Sequence, residues 1–150
     1  MPTDIAQEIS ATVDAASAAL RQIGEADTSA IPEVGRWSKK QIIGHLLDSA
    51  SNNHHRFVRA QQQQSAVFTF PGYEQEAWVS AQAYESSSWA ELVELWRLYN
   101  RHLAHVIEHM PEDKLGVECQ IESNESVSLG RLIEDYLKHM KHHLAQLGVI

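Results

Sequence analysis

The chain is short of several things that would declare its chemistry at once. It has a single cysteine, Cys119, in 150 residues, so no intramolecular disulfide can form. Cys119 is also a poor nucleophile candidate, because Glu118, Glu122 and Glu125 crowd it and negative charge disfavours the thiolate. Basic residues are scarce: 12 Lys and Arg stand against 20 Asp and Glu, a formal net charge of −8. Nucleic acid and anionic membrane both require a basic face, so neither is expected as the main partner. No apolar run reaches the length of a membrane-spanning helix. Met1-Pro2-Thr3-Asp4 does not open a basic region followed by an apolar one, so no signal peptide is expected and a cytoplasmic location is. No internal repeat is visible. What is plentiful is histidine, with nine copies, and imidazole is the commonest metal ligand.

Four helical patterns organise the chain into one domain spanning residues 1–150. The first runs from about Asp4 to Ile23, with Ile5, Ile9, Val13, Ala16, Leu20 and Ile23 at spacings of three and four. The second opens on the capping box Ser38-Lys39-Lys40-Gln41 and carries Ile42, Ile43, Leu46, Leu47, Ala50, Phe57 and Val58 until Gln61–Gln64. The third opens on Ser88-Trp89-Ala90-Glu91, runs through Leu92, Leu95, Trp96, Tyr99, Leu103, Val106, Ile107 and Met110, and is stopped by Pro111. The fourth starts near Ser128 and carries Leu129, Leu132, Ile133, Tyr136, Leu137, Met140, Leu144 and Leu147, with Gly148 as its C-cap. Ala66–Phe70 alternates like a strand, but Pro71-Gly72 breaks it at once, and a short helix is expected over Glu74 to Ala83. With no convincing sheet, these elements predict an all-α four-helix bundle. The stretch from Gln64 to Ser88 is too long for a hairpin, which implies a long crossover between parallel second and third helices.

Helical phase sorts the histidines. His139 and His143 are four apart and so share one face of the fourth helix. At roughly 100° per residue, His143 lies about 40–50° and His139 about 80–90° from the centre of the apolar stripe, both on one shoulder of it. A ligand on such a shoulder is held firmly yet reachable from a mouth. His142 points to solvent. His105 and His109 have the same spacing but lie opposite the stripe of Trp89, Leu92, Trp96, Leu103 and Ile107, as a surface pair. His102 sits nearer the core edge. His54 and His55 are adjacent, face different ways and read as structural or exposed. His45 falls more than roughly 100° from its own stripe and shares a side with Ser49, Asn52 and Arg56. That side is either an exposed polar stripe or the wall of a polar cavity facing the fourth helix. The zinc-peptidase HExxH pattern is absent, since no glutamate follows His139.

Two motifs carry a resemblance. Trp37-Ser38-x-x-Gln41-x-x-x-His45-Leu46-x-Asp48 and Leu132-Ile133-x-Asp135-Tyr136-x-x-His139-x-x-x-His143-x-x-Gln146-Leu147 together resemble the DinB superfamily. The likeness is greatest to its small DinB-like domains related to YfiT-type metal-dependent hydrolases, and it covers essentially the whole chain. It implies an up-down-down-up bundle, a homodimer and a divalent metal, nickel or zinc, on His45, His139 and His143. The function it implies is a metal-dependent hydrolase or thiol S-transferase acting on a small molecule, with a low-molecular-weight thiol as a candidate partner. The alternative is a non-catalytic metal-binding or dimerising bundle. No catalytic residue is assigned. Asp48, one turn after His45, is either an acceptor behind it or a general base, or a solvated carboxylate on the helix surface; Asp135 either orients His139 or takes a cap-side or surface role. Arg56, Tyr73 and Trp78 are candidates to line a pocket.

Overall fold

The structure is a computed structural model and describes residues 2–33 and 35–150. The helices are α1 (Pro2–Arg21), α2 (Lys39–Gln61), a short α3 (Gln75–Ala81), α4 (Trp89–Glu108) and α5 (Leu129–Gln146). Four of them, all but α3, form the bundle. Arg21 at the end of α1 meets Glu94 at the start of α4, so α1 and α4 are antiparallel. Phe57 near the end of α2 meets Tyr136 near the start of α5, while His45 meets His139 further on, so α2 and α5 are antiparallel too. Glu25 holds both Lys40 Nζ at 2.7 Å and the Trp89 backbone N–H at 2.9 Å, which puts the starts of α2 and α4 at one end. The order is therefore up-down-down-up, with α2 and α4 parallel.

The caps follow the sequence closely. At α2, Ser38 accepts the Gln41 backbone N–H while the Gln41 side chain accepts that of Ser38, a complete capping box. At α4 only half of the expected box forms: Ser88 accepts the Glu91 N–H, and no return bond from the Glu91 side chain is made among the described residues. Ser128 caps α5. Gly148, at φ +71°, donates to Ala145 O while Val149 donates to Leu144 O, the paired bonds of a Schellman stop.

Two expectations need correction. The segment after α2 is a real strand, β1 (Val67–Phe70), which pairs in parallel with β2 (Glu118–Ile121); β2 pairs antiparallel with β3 (Val127–Ser128). The alternation at Ala66–Phe70 was a true strand signal, and its partner lay far along the chain, where local pattern does not reach. Leu95, expected on the α4 stripe, is exposed, as is Leu98.

Because α2 and α4 run parallel, the chain after β1 must return the length of the bundle. It does so through α3 and a 3-10 turn at Tyr84–Ser86, laid along α2. Gly44 makes this possible: a Cβ there would meet the Tyr84 ring at 2.1 Å. As a result Ile43 through Ala50 are all buried, with no solvent face between them.

Candidate metal centre

His139 and His143 are half-buried on the shoulder of α5, with His142 exposed beside them, as phase predicts. From α2 the ring of His45 faces them, only 1% exposed. His45 Nε2 lies 3.0 Å from His139 Nε2, which lies 3.1 Å from His143 Nε2. The three ligand atoms all fall within 4.8 Å of one another. The exposed-stripe alternative for His45 is thus excluded. The other alternative holds: this side of α2 faces α5, with the Trp37 ring packed on His45.

The nitrogens suit a shared cation. A ring nitrogen holds one proton or one lone pair, so His139 Nε2 can serve only one of its two contacts as a hydrogen bond. One cation facing three lone pairs would satisfy both contacts. The spacings approach the edge of about 3.3 Å that tetrahedral zinc–nitrogen bonds of about 2.0–2.1 Å imply. Electrostatics agree. Burial, then the neighbouring imidazoles of His139 and His143, push the His45 pKa down to about 3. Burial and His143 push His139 down to about 4. Burial also lowers His143, against the opposing pull of Gln146. All three rings are therefore neutral at pH 7, the form that ligates. Gln146 Oε1 lies 2.8 Å from His143 Nδ1, which fixes the tautomer with Nε2 free. His45 Nδ1 is buried with no partner among the described residues, while the Trp37 ring packs at 4.8 Å.

Asp48 is not the solvated carboxylate of the second alternative: it is 1% exposed. Its Oδ1 accepts the Tyr84 hydroxyl at 2.6 Å and the Gln82 amide, and Oδ2 has no partner among the described residues. Burial raises its pKa, against the two hydrogen bonds. Ala83, between these two donors, sits at φ +51°, a left-handed conformation costly for a residue with a Cβ. The crossover thus clasps α2 one turn beyond His45.

Two clefts open beside the triad. One of about 400 Å³ reaches His139 and is walled by Ser49, Asn53, Arg56, Tyr73 and Tyr136. Another of similar size reaches His143 between Trp37, Glu76 and Gln146. Arg56 and Tyr73 line the first as expected; Trp78 packs behind Tyr73 at 5.3 Å instead. Asp135 sits at that cleft's rim and pairs with Arg131 Nε at 3.2 Å, with no bond to His139, so the surface alternative holds. His102, expected near the core edge, is exposed, as are His105, His109 and His55; His54 is half-buried against the Tyr99 hydroxyl at 2.9 Å.

The family model of the DinB superfamily matches residues 6–147. The chain belongs to the DinB superfamily. It is 29% identical over 113 residues to an Oceanobacillus iheyensis protein named "Putative metal-dependent hydrolase", a match covering 75% of this chain and 64% of that protein. It is 26% identical over 141 residues to a Bacillus mycoides protein of the same name, covering 94% of this chain and 80% of the relative. Its fold matches that of YfiT from Bacillus subtilis, described as a probable metal-dependent hydrolase with an unusual four-helix bundle topology. That match has a TM-score of 0.84 at 16% identity and covers 96% of this chain and 82% of the other.

Within this DinB-superfamily fold, Tyr84 and Gln82 are the residues that sequence reasoning missed. The available signal was Gly44. A lone glycine inside a helix points to a packing role, here contact with the Tyr84 ring of the segment that covers Asp48.

Proposed function

We propose that this DinB-superfamily chain is a metal-dependent enzyme acting on a small molecule, with one divalent ion held by His45, His139 and His143. The convergence of three neutral Nε2 atoms, at 3.0 and 3.1 Å along its two shared contacts, carries the reading. An ion held by three imidazoles keeps open positions and supplies Lewis acidity, which serves hydrolysis or the activation of a thiol. Zinc and nickel both suit three nitrogens. The protein's own contribution is orientation and dryness. Gln146 fixes His143, α2 holds His45 in the interior, and the Tyr84–Asp48 clasp closes the far side. The substrate enters through the cleft that reaches His139. Asp48 is sealed from that cleft by its own burial, so it acts through position and not as a base.

Protein purified without a histidine tag is expected to carry about one divalent ion per chain, and His45→Ala and His143→Ala to carry almost none. Turnover of ester and thiol-conjugate panels should depend on the metal and vanish in both variants. Unchanged metal content in both variants would overturn the site. Metal without turnover would leave the site standing and overturn the enzyme reading.

A further inference from the structure

Among the described residues, Arg56 is the half-buried arginine that forms no ion pair. Arg21, Arg36, Arg97, Arg101 and Arg131 each pair with a carboxylate. Arg59 forms none among the described residues, but it is exposed. Arg56 is half-buried and forms no ion pair among the described residues; its one hydrogen bond is to Pro71 O at 3.5 Å. Its Cζ lies 4.8 Å from the Phe70 ring centre and 5.8 Å from that of Tyr73. Stacking of this kind holds a guanidinium by its faces and leaves the donor-bearing edge free for a planar anion. Burial lowers its pKa, a cost borne by the charged form that an arriving anion would relieve.

We propose that Arg56 binds a carboxylate of the substrate, so that the cleft beside the triad takes an elongated small-molecule carboxylic acid. The inference rests on the reading of the triad as the metal site. Arg56 and His139 line the same cleft. Arg56 lies eleven residues beyond His45, three turns on along the same side of α2, about 16 Å along the axis. Its side chain leans back toward the helix N-terminus and shortens that span. A ligand anchored at Arg56 therefore presents its other end toward the histidines. Three carboxylates share the cleft, and none competes for Arg56: Glu122 accepts the Gly72 N–H at 3.1 Å, Asp135 is held by Arg131, and Glu74 is exposed. Their charge favours a singly charged carboxylate over a dianionic phosphate.

Butyrate and its neutral isostere butyramide test this by NMR titration of the full chain, in metal-free and zinc-loaded protein. Butyrate is expected to bind at least about tenfold tighter than butyramide, the effect of one charge-assisted hydrogen bond. The preference should survive metal removal, disappear in Arg56→Gln and return in part in Arg56→Lys, with circular dichroism confirming the fold. Equal binding of the two probes, or an undiminished preference in Arg56→Gln, would overturn the inference. So would inorganic phosphate outcompeting butyrate. A preference that depends on the metal and ignores Arg56 would overturn it while leaving the metal reading intact. An Arg56-dependent preference in a chain that takes up no zinc when zinc is supplied would do the reverse.

Discussion

Two histidine pairs in this chain have the same spacing and opposite surroundings. His139 and His143 on α5 converge with a third ring from α2, in a setting dry enough to hold them neutral. His105 and His109 on α4 are as close, with ring centres 4.2 Å apart against 4.6 Å, yet both are exposed and form no three-ligand cluster among the described residues. His109 Nδ1 even finds a fixed partner in His105 O at 2.9 Å. A two-ligand exposed pair pays side-chain entropy and water competition for every ion it holds. Four-residue spacing therefore creates a possible chelate, and the facing helix decides whether it becomes a site.

The comparison breaks most sharply on metal-dependent stability. Saturating zinc at about a thousand times its dissociation constant should stabilise the wild type by about 4 kcal/mol, a rise of roughly 10 °C in Tm. Calorimetry of His139→Ala should show almost none of that rise, and the double variant His105→Ala/His109→Ala all of it. Equal responses would make the two pairs equivalent.

Next is pH. In metal-free protein His45 and His139 titrate near 3 and 4, well below the ordinary 6.5. Between those values the unfolded chain binds protons that the folded chain refuses, so stability is full above about 6.5 and falls as pH drops. Each of the two contributes a loss of about 1.4 kcal/mol per pH unit at most. Denaturant unfolding at pH 7 and pH 5 reads this slope. Removing the α4 pair should leave it unchanged, and a flat profile would mean the triad is wetter than described.

Gly44→Ala attacks the dryness directly. The added methyl must displace the Tyr84 ring, at an overpacking cost of about 1–3 kcal/mol. Metal affinity should fall along with stability, because the crossover no longer seals α2. The smallest effect is that of the α4 pair on folding: His105→Ala/His109→Ala should shift stability by less than about 0.5 kcal/mol for each exposed site.

The helices, their caps and the α5 half of the triad were legible because period, capping chemistry and burial there agree within one segment. His139, His143 and exposed His142 all follow from the phase of a single amphipathic helix. The α2 half was not legible from phase, since Ile43 through Ala50 are buried on all sides and an apolar stripe no longer marks inside from outside. His45 was identified by motif and not by periodicity. The burial of Asp48 was hidden for a related reason, because its cover, Gln82 and Tyr84, comes from a crossover more than thirty residues away. The pairing of β1 with β2 is likewise a long-range contact with no local trace.

Equilibrium dialysis with zinc, comparing wild type, His139→Ala and His105→Ala/His109→Ala, tests the central claim most directly. One tight ion per chain should appear in the wild type and in the double variant, and be absent from His139→Ala. Tight binding that survives His139→Ala, or is lost with His105 and His109, would contradict the account.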